Sequence, residues 1–175
     1  MQPKRHSLIA PNTYQESLCS AFSNEVYQTN KDMYAQRNQN NEGKIKNDIY
    51  IGKLAEFAVY NYLIYKGKTV SAPDIMIYES KKKSYDADLY INKESPLHIK
   101  SCIDIGVQHN SWLFQPNDPV TNAPTEDDMI AFVVITPEAV FYCYIIKASD
   151  ILDMYREPRN QLLNKKVIYE IDLTK

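Results

Sequence analysis

Two apolar runs rich in β-branched and aromatic residues, Ile130 to Ile135 and Ala139 to Ile146, are separated only by Thr136, Pro137 and Glu138. Short runs of this kind bounded by turn residues read as strands buried on both faces, joined here as a hairpin. Such a hairpin belongs at the centre of a sheet, so it constrains the fold more than any other feature of the chain. The longer run, eight residues, is less than half of what a bilayer-spanning helix needs, and no membrane partner is expected.

Helical patterns precede the strands. Thr13 and Glu16 have the spacing of a capping box, and Leu18, Phe22, Val26 and Met33 fall near one face of a helix expected from Thr13 to about Asn40. From Tyr34 to Asn47 the chain turns polar around Gly43, which reads as a loop or frayed helix end. A second helix is expected from a cap at Asn47 or Asp48, carrying Ile51, Leu54, Ala55, Ala58 and Tyr62 on one face and ending near Lys66, before Gly67. Residues 1–46 therefore read as a helical arm packed on a core of residues 47–175, a single domain for 175 residues.

Short β-like runs follow at Thr69 to Ala72, Ile75 to Tyr78, Ala87 to Ile91 and Leu97 to Cys102, the last two paired as a hairpin. Asp104 to Asp128, with Pro116, Pro119 and Pro124, reads as a loop interrupted by a strand at Trp112 to Gln115. Ser149 is placed to cap a short helix through Met154, and Lys166 to Asp172 reads as a final strand. The fold class expected is α/β, a mixed central β-sheet flanked by helices.

The net charge of −2 leaves any attraction to nucleic acid to local clusters, not the bulk field. Cys19, Cys102 and Cys143 fit neither a zinc spacing nor a disulfide framework and read as free thiols. Met1 to Ala10 holds only Leu8, Ile9 and Ala10 as an apolar patch, short of a signal-peptide core, so a cytoplasmic protein is expected.

In the hairpin, strand alternation puts Asp86, Asp88, Tyr90 and Asn92 on one face and Leu89 and Ile91 on the other. His98 and Lys100 likewise share a face opposite Leu97 and Ile99. With the apolar set turned to the core, two carboxylates, an imidazole and an ammonium lie on the other face. Upstream, Glu56 sits between Ala55 and Phe57, an apolar setting for a charge. Cleaving a phosphodiester calls for these types: carboxylates to hold a hard cation, and a positive group near the developing charge.

The order of GKLAEFAVYNYL (52–63), YDADLYI (85–91) and LHIKS (97–101) resembles the PD-(D/E)XK, or restriction-endonuclease-like, nuclease superfamily. The resemblance implies a restriction-endonuclease-like sheet, an Mg2+- or Mn2+-dependent endodeoxyribonuclease activity, and DNA ahead of RNA as substrate. It assigns Asp88 as a metal ligand, Lys100 as the group that positions or activates water, and Glu56 as the helix carboxylate completing the catalytic set. Asp86 is an alternative ligand to Asp88, and Asp74 in SAPDI is an outside candidate. His98 stands where the family carries an acid, and enters as a further metal candidate. Lys81, Lys82, Lys83 and Gln115 are candidate nucleic-acid contacts, and a homodimer is expected by analogy, since a double-strand break takes two nicks. The His98 substitution and the acidic balance keep a second reading open, a catalytically degenerate relative that binds nucleic acid or a protein. A third is an interaction protein whose polar hairpin face is only solvated.

Overall fold

The computed structural model describes residues 3–79, 86–106, 110–115, 118–157 and 165–174. After a short strand β1 (Arg5–Ser7), which the sequence reading does not anticipate, the chain forms helix α1 (Thr13–Gln36). Its cap lies one residue earlier than the expected Thr13 and Glu16. Asn12 Oδ1 accepts the Gln15 N–H at 2.9 Å and the Gln15 side chain accepts the Asn12 N–H at 3.0 Å, so the reciprocal box is built from Asn and Gln.

Helix α2 (Glu42–Tyr65) starts ahead of the expected Asn47 or Asp48, because Asn41 caps it through the Lys44 N–H. Of the stretch 34–47 read as a loop, 37–41 do link the helices, while 42–47 form the first turns of α2, with the i,i+4 pairs Lys46–Glu42 and Lys44–Asp48 and a buried Ile45. The expected boundary between residues 46 and 47 thus falls inside α2. The helix stops where Gly67 takes a positive φ of 73°, and the N–H groups of Gly67 and Lys68 close onto Ile64 O and Leu63 O.

Strands β2 (Leu89–Ile91) and β3 (Ser95–Ile103) form the expected hairpin. The later pair, β5 (Met129–Ile135) and β6 (Phe141–Lys147), forms the second. Between them lie β4 (Ser111–Phe114) and the short helix α3 (Pro119–Asn122). The main sheet has the order β1-β6-β5-β3-β2, with β5 at its centre, parallel to β3 and antiparallel to β6. It is a mixed sheet in a mixed α/β protein.

Residues of β3 and β5 alternate between two cores. Leu97, Ala131 and Val133 join Leu54, Ala58 and Val59 of α2 on one side. Ile130, Phe132 and Val134 face a second layer built from β4 paired with β7 (Lys166–Tyr169), a 3₁₀ helix (Ala148–Met154) and α4 (Glu170–Leu173). Trp112 anchors that layer, its ring 4.8 Å from Phe132 and its Nε1 donating to Val133 O at 3.2 Å.

Several expected elements differ. Of the residues from Thr69 to Ala72 only Val70 makes an isolated bridge, to Ile91, and Ile75 to Tyr78 forms no strand. The last strand ends at Tyr169 and turns into α4, and the 3₁₀ helix has no side-chain cap from Ser149. Cys19, Cys102 and Cys143 are free, and burial pushes each thiol up to about 12. No helix among the described residues is long and apolar enough to cross a membrane.

Candidate functional site

Asp88 stands at the mouth of the β2–β3 hairpin, half-buried, and its Oδ2 accepts the backbone N–H of Ile99 at 2.6 Å. The register that pairs Leu89 with Leu97 brings it there, because a residue just before β2 lies beside the continuing β3. Its carboxylate therefore does two things: it satisfies a strand N–H, and it holds a negative charge close to α2.

On α2, Glu56 reaches the same region from the helical side. Its Oε2 lies 2.6 Å from Lys53 Nζ, one turn earlier on the helix. Lys53 is itself 8% exposed, donates a second hydrogen bond to Asp74 O at 2.7 Å, and has its ammonium 4.6 Å from the Phe22 ring centre. Burial is the main force on the Glu56 carboxyl and pushes it up to about 7. Lys53 opposes that rise by charge and hydrogen bond, while the negative charges of Asp88 and Asp74 add to it. Lys53, Asp88 and Asp74 thus all act on Glu56 across the seam between α2 and the sheet edge.

Asp74 holds the segment after Pro73 in shape, accepting the Met76 N–H at 2.8 Å and the Tyr78 hydroxyl at 2.9 Å. Asn30 of α1 donates to Tyr78 O at 3.1 Å. Those side chains hold a segment that pairs with no strand, so its apolar run Ile75 to Tyr78 does not form one. Asp86 is exposed. Lys81, Lys82 and Lys83 lie outside the described residues.

His98 and Lys100 lie on the other face. By register they sit beside Ile130 and Phe132, which pack into the second layer, whereas Leu97 and Ile99 turn to α2. Lys100 Nζ pairs with Asp118 Oδ2 at 2.9 Å, 5.0 Å from the Phe114 ring centre. His98 Nε2 stands 3.5 Å from Asp128 Oδ1, while Asp128 Oδ2 accepts the Thr125 N–H at 2.6 Å. Gln115 is exposed, and its backbone carbonyl accepts the Asp118 N–H at 3.1 Å, which places it next to the partner of Lys100.

The structure therefore brings Glu56 and Asp88 together, sets Asp88 against β3, and gives His98 and Lys100 partners of their own on the far side of the sheet. Lys53, Asp118 and Asp128 are absent from the sequence reading. The i,i+3 spacing of Lys53 and Glu56 is a signal for the first; Asp118 and Asp128 carry none beyond their place in an acidic, Pro-rich stretch.

Among the described residues no three His, Cys, Asp or Glu side chains gather closely enough to hold a metal ion. Glu56 and Asp88 each commit one oxygen, to Lys53 and to Ile99, and the other oxygen of each takes no hydrogen bond among the described residues. Two carboxylates of this kind suit a hard cation that keeps several waters and takes substrate oxygens, and not one caged wholly by protein. The chain matches no family model, no curated protein and no solved structure.

Proposed function

We propose that the protein is a divalent-metal-dependent nuclease of restriction-endonuclease-like fold that hydrolyses phosphodiester bonds, of DNA ahead of RNA. The observation that carries this reading is the position of Asp88: its carboxylate is bound to β3 at Ile99 and its charge acts on the buried Glu56 of α2. A buried acid whose proton affinity a neighbouring carboxylate raises is costly for a fold to keep, and such groups cluster where a ligand uses them. Glu56 and Asp88 would hold Mg2+ or Mn2+, which when bound polarises a phosphoryl oxygen and lowers the pKa of a coordinated water. Lys53 aims the Glu56 carboxylate and opposes the rise in its proton affinity, and Asp88 fixes the sheet edge. Lys100, which the resemblance would have activate the water, pairs instead with Asp118 across the sheet from those carboxylates, where it and the neighbouring Gln115 would contact the nucleic-acid strand.

The pairing of Lys100 with Asp118 and the closeness of His98 to Asp128 favour a second reading, a catalytically degenerate protein that binds nucleic acid or a partner protein. A lysine already neutralised by its own acid lends less positive charge to a reaction.

One experiment separates the two: cleavage of supercoiled and single-stranded DNA with Mg2+ or Mn2+, with EDTA, Asp88→Asn and Lys100→Ala as controls. Asparagine still offers an oxygen to the Ile99 N–H, so loss of cutting in that variant reads on chemistry and not on folding. Metal-dependent cutting lost in both variants supports the nuclease. No cutting by the wild type, with DNA still retarded in a gel, supports the degenerate binder.

A further inference from the structure

The segment after Pro73 is held at both ends by buried polar side chains from two different helices. Lys53 of α2 donates to Asp74 O at 2.7 Å, and Asn30 of α1, itself 7% exposed, donates to Tyr78 O at 3.1 Å. Between those anchors the Asp74 carboxylate accepts the Met76 N–H at 2.8 Å and the Tyr78 hydroxyl at 2.9 Å. From residue 71 to residue 79 the chain makes neither a turn nor a bend, so the anchors hold it drawn out. Burying an ammonium and an amide is costly, and both are committed here to a segment that puts little of itself into the core. Ile75 is 42% exposed, Met76 64% and Tyr78 46%.

An anchored row of exposed apolar side chains is a surface suited to contact. The Tyr78 ring is fixed through its hydroxyl while nearly half of the residue stays open, so a planar partner meets a ring that is already ordered. Position narrows the occupant. The Lys53 ammonium touches both the Asp74 carbonyl at 2.7 Å and the Glu56 carboxylate at 2.6 Å, so the row begins beside the acid of α2 that the nuclease reading uses. Chemistry narrows it further. From Thr69 to Glu79 the chain has no Lys or Arg, and it carries two acids, Asp74 and Glu79. Nothing in that stretch neutralises phosphates, which supply most of a duplex's attraction for protein. A tyrosine ring and a thioether instead cover base faces, and a stacked duplex leaves no base face open along its length.

We infer that Ile75, Met76 and Tyr78 are the base-contacting row of the nuclease, and that its substrate is single-stranded nucleic acid laid along residues 75–78. The inference rests on the nuclease reading above and names the substrate class of that site. Specificity then comes from the unpaired state of the strand and not from a base sequence, because stacking accepts every base.

The test is fluorescence anisotropy of the full chain with labelled oligo-dT and with a duplex of the same length, in Ca2+ without Mg2+ or Mn2+, for the wild type, Met76→Ser, Tyr78→Phe and Tyr78→Ala. The wild type is expected to hold the single strand at least about tenfold tighter than the duplex. Tyr78→Ala is expected to lose about fivefold or more of the single-strand affinity, with duplex binding within twofold and a melting temperature within a few degrees of the wild type. Met76→Ser is expected to weaken the single strand in the same sense, and Tyr78→Phe, which keeps the ring and gives up the hydroxyl tether, to lose less than Tyr78→Ala. Oligo-dT carrying 5-iododeoxyuridine is expected to crosslink under ultraviolet light to the peptide containing Tyr78. A wild type that binds both forms alike, or Met76→Ser and Tyr78→Ala proteins that hold the single strand as the wild type does, overturns the inference whether or not the protein cuts DNA. A wild type that shows the Tyr78-dependent preference and cuts nothing with Mg2+ or Mn2+ overturns the nuclease reading alone, and leaves the row as the binding face of a degenerate relative.

Discussion

Ile168 sits opposite Trp112 in the β4–β7 ribbon, fully buried in the core beneath it. Ile168→Ala removes three carbon groups from that core, about 0.8 kcal/mol each by transfer. The space left behind raises the loss to about 3–4 kcal/mol, because a ribbon pinned by Trp112 and Phe114 against Phe132 has little room to collapse. In a chain of this size that corresponds to a fall of roughly 10 °C in melting temperature. Trp112 is the single tryptophan of the chain, so its fluorescence reports the ribbon layer, while far-UV circular dichroism is dominated by α1 and α2 on the opposite face. Neighbouring residues of β5 serve opposite cores, Phe132 the ribbon side and Val133 the helix side, so the layers share one sheet and should melt together. Both signals are expected to drop by the same amount. A shift below about 2 °C, or a red-shifted Trp112 emission while the helical signal keeps the wild-type midpoint, would refute the reasoning that a single cooperative unit spans both faces.

Three further outcomes follow from local chemistry. Glu56 holds its proton up to about 7 in the fold against 4.5 for a free carboxyl, so the unfolded chain gives up that proton first as pH rises. The associated stability is present below about pH 4.5 and is lost by pH 7, roughly 3 kcal/mol, and urea midpoints across that range should lose this slope in Glu56→Gln; an unchanged slope sinks the assignment. Asp88→Asn keeps an acceptor for the Ile99 N–H and should cost under about 1 kcal/mol, whereas Asp88→Ala should cost about 1–3 kcal/mol in urea unfolding; equal costs would show that the hydrogen bond contributes nothing. Glu170 accepts the hydroxyls of Tyr142 and Tyr144 at 3.0 and 2.9 Å and the Asn110 amide at 2.8 Å. Its replacement by Ala strands two tyrosine hydroxyls in buried residues and should cost about 2–3 kcal/mol in the same assay, against less for Gln.

The parts of the fold that repeat a period were legible. The β5–β6 hairpin, the helical periodicity of α2 and the alternation that turns Leu89, Leu97 and Ile99 inward all follow from side-chain spacing. What spacing does not carry is where a face looks. His98 and Lys100 were rightly set opposite Leu97, yet that face is roofed by β4, β7 and α3, so their partners Asp118 and Asp128 come from a stretch that reads only as loop. Caps were misplaced because several cap residues stand close together: Asn12 with its Gln15 partner takes the place of Thr13, and Asn41 that of Asn47 and Asp48, where the earlier start buries Ile45 and makes the ion pairs beside it. The segment 75–78 reads as a short apolar strand, but Lys53 binds the Asp74 carbonyl just before it and Asn30 the Tyr78 carbonyl at its end, and no ladder forms. Of the candidate site, the carboxylate pair was legible and the buried lysine between helix and loop was not, because a lysine's ordinary place is solvent.

β1 pairs Arg5 with Tyr144, so a strand that precedes both helices joins the last strand of the main sheet. As the chain leaves the ribosome, α1 and α2 have each other at once, and the β2–β3 hairpin soon after. β1 has nothing to bind until β6 has cleared the exit tunnel. Until then the nascent chain carries a completed helical pair with an unmatched strand ahead of it. Bulk or a tether placed just ahead of β1 would be felt at that closing step, as slower maturation at an unaltered equilibrium stability.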